Sequence, residues 1–281
     1  MFKIIYKKRL NPTVTMMKIH APRVAFKAEA GQFIILRVNN DGERIPLTIA
    51  DYDRDEGSVT IIYQVVGATT TKLDAKEEGE FISDFAGPLG RPTETEGLKK
   101  VAVIGGGVGC AIAYPVAKKL ASLGCEVHSI VGFRSKDLVI LEDEFRNVSD
   151  SMTIMTDDGS CGDKGLVTDA LRTLIEKGEK FDRVIAIGPL VMMKFVCLLT
   201  KEYNIPTTVS MNPIMIDGTG MCGGCRLTVG GEVKFACVDG PDFDGHSVDF
   251  DEAMKRSSMY RGFERHAHEE SCNLLKTSVK K

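Results

Sequence analysis

The sequence predicts an α+β chain of several domains, and three observations lead there. Residues 1–97 carry alternating and β-branched runs punctuated by Gly, Asn, Asp and Pro, residues 98–210 alternate short apolar runs with helical stretches, and residues 211–281 open on a cluster of glycines and cysteines. Period-2 alternation belongs to half-buried antiparallel strands, and alternating strands and helices belong to a parallel sheet with crossover helices. The expected architecture is an N-terminal antiparallel β-barrel (1–97), a Rossmann-like α/β parallel-sheet domain (98–210) and a C-terminal cluster domain with its tail (211–281). A chain of 281 residues with 43% hydrophobic content can bury that many cores.

In the first part, residues 2–6, 13–20, 32–38 and 58–66 read as strands, with Asn39-Asn40-Asp41-Gly42 as a turn. Arg44-Ile45-Pro46-Leu47-Thr48 begins a further strand. Residues 68–76 read as a short helix with Thr69 or Thr70 at its N-cap, and 81–85 as another strand. The two-proline loop Gly87-Pro88-Leu89-Gly90-Arg91-Pro92 marks the boundary. Beyond Lys100, strands are expected at 101–104, 126–131, 152–155, 183–187 and 207–210. Helices are expected after the glycine loop to about residue 123, at 165–176 and at 190–203. The segment beyond Gly245 is polar and reads as helical.

Composition excludes several classes. A net charge of −3 gives no general attraction to phosphate backbones or anionic membranes, so neither nucleic acid nor membrane is an expected partner. No apolar run approaches the about 20 residues of a membrane span, and the basic N-terminus MFKIIYKKRL leads into no signal-peptide core. A soluble cytoplasmic protein with unpaired thiols is expected, which leaves eight cysteines to explain.

Their spacing supplies the explanation. Asp217-Gly218-Thr219-Gly220-Met221-Cys222-Gly223-Gly224-Cys225, followed by Cys237, reads Asp-x4-Cys-x2-Cys-x11-Cys. Plant-type [2Fe–2S] sites use Cys-x4-Cys-x2-Cys and a distant fourth Cys; here Asp217 holds the first position. Thiolates match the softness of iron, a carboxylate oxygen also binds it, and the four glycines let the loop wrap a compact cluster. Asp217, Cys222, Cys225 and Cys237 are the expected ligands, with Cys272 as the rival fourth. Structural zinc, which accepts three cysteines and one other ligand, is the competing reading. Cys110, Cys125, Cys161 and Cys197 read as structural, and His266 and His268 as solvated.

The run Gly105-Gly106-Gly107-Val108-Gly109 follows a strand and opens a helix, a setting in which backbone N–H groups and the helix dipole meet a pyrophosphate. No Gly-Lys-Ser/Thr ending follows, so a P-loop ATPase is not expected. In Thr156-Asp157-Asp158-Gly159-Ser160, an acidic group at a strand's C-terminal end suits ribose hydroxyls and repels a 2′-phosphate, so Asp157 favours NAD(H) over NADP. Arg134 and Lys136 argue the other way. Gly188-Pro189 ends a strand at the same sheet edge, where a turn can approach a nicotinamide.

Arg-x-Pro-Leu-Thr at 44–48, Tyr63-Gln64-Val65-Val66-Gly67 with the threonines after it, Gly87-Pro88-Leu89-Gly90 and the glycine loop together resemble the ferredoxin–NADP reductase superfamily. With the 156–160 segment and the cysteine cluster, the chain resembles the dihydroorotate dehydrogenase electron-transfer subunit. It is at least as similar to the small subunit of NADH-dependent reduced ferredoxin:NADP oxidoreductase, which resembles it in carrying an aspartate ligand. The resemblance implies FAD on the barrel, with Arg44 in its motif, Pro46, Leu47 and Thr48 lining the isoalloxazine, Tyr63, Gln64 and Val65 along the cofactor, and Thr69 and Thr70 near its pyrophosphate. It implies NAD(H) on the second domain and a [2Fe–2S] cluster on the third. The implied activity is hydride exchange between NAD(H) and FAD, with single-electron relay to a larger flavin and iron–sulfur subunit, serving ferredoxin and NADP(H) indirectly. The alternatives are the electron-transfer subunit of NAD-dependent dihydroorotate dehydrogenase and a zinc-stabilised nucleotide-binding module without redox turnover. No acid–base residue is called for, because hydride transfer belongs to the cofactors.

Overall fold

Seven antiparallel strands wrap into a nearly closed barrel. They are β1 (Phe2–Asn11), β2 (Val14–His20), β3 (Phe33–Arg37), β4 (Arg44–Asp53), β5 (Ser58–Gln64), β6 (Phe81–Ile82) and β7 (Asp84–Leu89), paired in the order β6-β1-β2-β5-β4-β3-β7. The computed structural model from which this is read describes residues 1–260 and 262–267. Helix α1 (Pro22–Lys27) starts on a proline, which is already set for the first helical turn, and buries Val24 and Ala25. Helix α2 (Ala68–Asp74) follows β5. Ser58 to Tyr63 are buried without alternation, because β5 is covered from both sides.

The second sheet is parallel. Its strands are β8 (Lys100–Gly106), β9 (Glu126–Phe133), β10 (Ser151–Thr156), β11 (Asp163–Lys164), β12 (Arg183–Ile187) and β13 (Thr207–Ser210), in the order β11-β10-β9-β8-β12-β13. Helices α3 (Cys110–Ser122), α4 (Glu142–Val148), α5 (Val167–Glu176) and α6 (Leu190–Glu202) cover it. Strand order reverses between β8 and β12, whose C-terminal ends carry Gly105-Gly106 and Gly188-Pro189. Ligands of open α/β sheets collect at such a switch point.

The remaining described residues form a loop and a hairpin, β14 (Arg226–Val229) and β15 (Glu232–Phe235), joined at Gly230-Gly231 with φ of +60° and +80°. Two left-handed residues are what a two-residue hairpin turn asks for. Strand β16 (Asp242–Asp244) then pairs antiparallel with β13 and extends the second sheet past residue 210. Helix α7 (Phe250–Ser257) is capped by Asp249, whose carboxylate accepts from the N–H of Glu252 at 2.9 Å.

Two apolar cores cross between these parts. Val14, Ala50 and Ile62 of the barrel pack with Ala113, Val116 and Ala117 of α3. Phe33 and Ile35 of β3 share a second core with Met215, Cys225, Leu227 and Cys237. At the first seam the Lys118–Asp51 pair is nearly half exposed on the lysine side, so it contributes only about 0.2–1 kcal/mol. Burial of one side chain such as Ile62 is worth about 1.5–3 kcal/mol, so apolar contact holds the seam.

Candidate cofactor and metal site

The cysteine-bearing loop lies against the barrel. Gly218, with φ of +78°, presses so closely on β3 and β7 that a Cβ there would stand 2.7 Å from Leu89 Cδ1 and 2.8 Å from Ile35 Cδ1. Asp217 folds the loop on itself: Oδ1 accepts from the Thr219 N–H at 2.8 Å and Oδ2 from the Cys222 N–H at 2.7 Å. Those N–H groups, Thr219 first, hold its carboxyl below the usual carboxylate range. Cys225 and Cys237 are buried with their sulfurs 3.3 Å apart, while Cys222 is exposed at the rim. Burial, then the neighbouring Cys225, pushes the Cys237 thiol up to about 12.

Cys225 and Cys237 pair through their sulfurs, and Asp217 lies beside Cys222, whose main-chain N–H and side chain both bond its carboxylate. A single tetrahedral zinc needs all four within about 3.8 Å of one another, given zinc–sulfur bonds of about 2.3 Å. Among the described residues, the trio drawn within 4.8 Å is instead Glu126, His128 and Glu179. Two pairs suit two irons, each taking two protein ligands. The carboxylate and three sulfurs thus fit an iron–sulfur group better than zinc. The other trio is no metal site, because the Lys100 ammonium already bonds Glu126 at 2.7 Å and Glu179. Cys272 and His268 lie outside the described residues, and His266 is exposed.

Strand β4 carries the expected flavin residues. Arg44, Ile45, Pro46, Leu47 and Thr48 are all half-exposed in succession. Pro46 pairs with Ile35, Leu47 with Ile34 and Thr48 with Phe33, so one strand separates them from the cysteine loop. Arg44 bridges the gap directly, its Nε donating to the Ile216 carbonyl at 2.9 Å.

The side chain of Tyr63 is 2% exposed and belongs to the barrel core, its hydroxyl 3.5 Å from Met17 Sδ. It leaves only its main chain for a cofactor, while Gln64 is exposed and Val65 half-exposed. Thr70 Oγ1 is consumed in capping α2, accepting from Val66 and Gly67 N–H groups, and Thr69 donates to Glu43.

At the switch point most glycines are accounted for by protein. The missing side chain of Gly105 makes room for Cys110, that of Gly106 for Met192 and Pro189, that of Gly109 for the Ile187 carbonyl, and that of Gly188 for Met192. Gly107, with φ of +55°, faces open space, and Val108 is half-exposed beside it at the approach to α3. Asp157 is exposed at the end of β10, whereas Asp158 is held in its own turn by Ser160. Arg134 and Lys136 are exposed on the facing loop, which Ser160 ties down by accepting from the Lys136 N–H at 2.7 Å.

Comparison with known proteins bears on these features. Residues 212–249 match the model of the iron–sulfur cluster binding domain of dihydroorotate dehydrogenase B. The chain is 48% identical to the dihydroorotate dehydrogenase B (NAD(+)) electron transfer subunit homolog of Thermotoga maritima, over 98% of this chain and 96% of that one. It is 33% identical to the electron transfer subunit of Fusobacterium nucleatum, over 84% and 92%. This chain belongs to the dihydroorotate dehydrogenase B electron-transfer subunit family. A solved structure that addresses flavin-based electron bifurcation in the NADH-dependent reduced ferredoxin-NADP oxidoreductase contains a chain 47% identical to it, covering 96% of this chain and 97% of that one, with a TM-score of 0.91.

The family member described here is thus an oxidoreductase electron-transfer subunit with a ferredoxin reductase-like fold and an iron–sulfur binding domain. A zinc-stabilised module without redox turnover is overturned by that membership. Among the described residues no helix is long and apolar enough to cross a membrane. Sequence reasoning missed Arg226 and Arg256, which donate to the Gly223 and Gly224 carbonyls of the cysteine loop. Nothing in the spacing of Arg256 betrays a contact 32 positions away.

Proposed function

We propose that this chain is the electron-transfer subunit of a bifurcating NADH-dependent reduced ferredoxin:NADP+ oxidoreductase. In this reading the barrel would hold FAD and the second sheet NAD(H) for hydride exchange, and Asp217, Cys222, Cys225 and Cys237 would hold a [2Fe–2S] cluster that would supply single-electron transfer towards a larger flavin and iron–sulfur subunit. The observation that carries it is the seating of the cysteine loop on β3, one strand from Pro46, Leu47 and Thr48. That seating supports electron passage without any moving part. Asp217 in the first ligand position favours this assembly over its rival, and the 47% identity to the ferredoxin-NADP oxidoreductase chain is consistent with it, beside a comparable 48% to the dihydroorotate dehydrogenase B homolog.

Each part of the chain has a defined task. Pro46, Leu47 and Thr48 line the flavin ring, and Arg44 with the main chain of residues 63–65 steadies the cofactor. Gly107 and the start of α3 receive the nicotinamide dinucleotide's pyrophosphate, and Asp157 its ribose. Asp217, Cys222, Cys225 and Cys237 hold the cluster, with Cys222 at the exposed rim facing the partner.

A second reading, the electron-transfer subunit of NAD-dependent dihydroorotate dehydrogenase, is supported by the matched domain model and by the Fusobacterium nucleatum relative. Anaerobic purification with the native partner separates the two. The proposal expects a yellow-brown complex in which this chain's own share is about one flavin and two irons and the partner adds its own flavin and clusters, the partner being a protein that carries two ferredoxin-type four-cysteine motifs. A barrel-type dihydroorotate dehydrogenase as partner would transfer the chain to the second reading.

A further inference from the structure

The cysteine loop is gripped by three arginines from three different elements. Arg44 of β4 donates to the Ile216 carbonyl at 2.9 Å, Arg226 at the start of β14 to the Gly223 carbonyl at 3.3 Å, and Arg256 of α7 to the Gly224 carbonyl at 3.2 Å. Each of these carbonyls adjoins a ligand residue: Ile216 precedes Asp217, Gly223 follows Cys222 and Gly224 precedes Cys225.

Arg9, Arg37, Arg54, Arg146 and Arg183 are paired with carboxylates. Among the described residues, Arg44, Arg226 and Arg256 make no such pair. A guanidinium does not give up its proton in a protein, so three fixed positive charges converge on one loop without an acidic side chain to cancel them. The group they would face is anionic. A [2Fe–2S] core held by three thiolates and one carboxylate would carry a net charge of −2 with both irons ferric, and −3 after taking up one electron. Potentials of such clusters respond to net charge and to hydrogen bonding around them. Positive charge nearby favours the more negative state.

We propose that Arg44, Arg226 and Arg256 form a cationic collar that holds the cluster loop by its carbonyls and raises the cluster's reduction potential, easing its acceptance of electrons from the flavin. This rests on the cluster ligation proposed above. The residues are positioning residues, since each acts through a loop carbonyl and not on the irons. Arg44 also lies on the flavin strand, so the test falls on the other two.

The experiment is an EPR-monitored redox titration of the full chain in its native complex, for wild type, Arg256→Gln, Arg256→Lys and Arg226→Gln, with iron content measured in each. Arg256→Gln is expected to titrate at lower potential, with a several-fold smaller reduced-to-oxidised ratio at fixed ambient potential. Arg256→Lys, which keeps the charge, stays close to wild type. Arg226→Gln shifts in the same direction but less, because its exposed charge is screened by salt. NADH-driven reduction of a dye that bypasses the cluster stays unchanged in all three. An unmoved potential in Arg256→Gln, or an Arg256→Lys shift as large as that of Arg256→Gln, overturns the collar. Should Arg256→Gln fail to retain iron, Arg226→Gln decides, and an unmoved potential there overturns it. Absence of iron and signal in the wild-type chain would instead defeat the cluster ligation itself.

Discussion

Gly218 shows how tightly the cysteine loop is fitted to the barrel. Its positive φ already disfavours any side chain, and a methyl would intrude on Leu89 and Ile35. Gly218→Ala is expected to cost about 1–3 kcal/mol and to loosen iron retention. Thermal unfolding and iron analysis check this, and an unaltered variant would mean the loop is not seated as described. Asp157 is the second residue-scale test. If it reads the ribose, Asp157→Ser should narrow the preference for NADH over NADPH in flavin bleaching, and an unchanged ratio would remove it from the nucleotide site. The iron–sulfur character of residues 212–249 was legible because the cysteine spacing is local, and the domain match falls on the same stretch. The arginines were not, since Arg44 meets Ile216 across 172 positions. The burial of Tyr63 was not legible either, because it follows from the cover on both faces of β5 and not from the motif the residue sits in.

At the scale of elements, the long strands and helices of the parallel sheet follow their periodicity. Some short elements do not: α1 and α4 carry too few residues for a period to register. Strand β16 is three residues, Asp242-Phe243-Asp244, and becomes a strand only because β13 offers an edge. The hairpin β14–β15 had its signal in Gly230-Gly231, which the surrounding cysteines and glycines obscured. Strand β16 also carries a charge problem. Asp242 Oδ2 accepts from Thr93 Oγ1 at 2.6 Å, but Oδ1 is buried without a partner. Burial raises its carboxyl above the usual range, with the hydroxyls of Thr93 and Ser210 pulling the other way. A raised carboxyl stabilises the fold fully below its unfolded value of about 3.9 and loses that contribution as pH rises through the folded value. Asp242→Asn, which keeps an acceptor for Thr93, should therefore gain stability relative to wild type as pH climbs from about 4. Parallel melting-temperature curves across that window would contradict the burial argument.

At the scale of the whole molecule, the sheets are separate and the barrel keeps a core of its own, but two further cores are shared. One joins the barrel to α3, and the other joins β3 to the cysteine loop, the hairpin and the second sheet. Each expected boundary, at 97 and at 210, is crossed by a shared core, so the chain should unfold in a single transition by tyrosine fluorescence and far-UV circular dichroism alike. Two resolved transitions would show that the seams are weaker than their burial implies. The same continuity sets β4, the strand proposed to line the flavin, beside the cysteine loop, and the central claim is that electrons leave the chain by that loop. Cys222→Ser tests it most directly, in the native complex, by comparing NADH-driven dye reduction with NADH-driven reduction of the partner subunit. The account predicts that dye reduction persists while delivery to the partner is lost; undiminished delivery through the serine variant would contradict it.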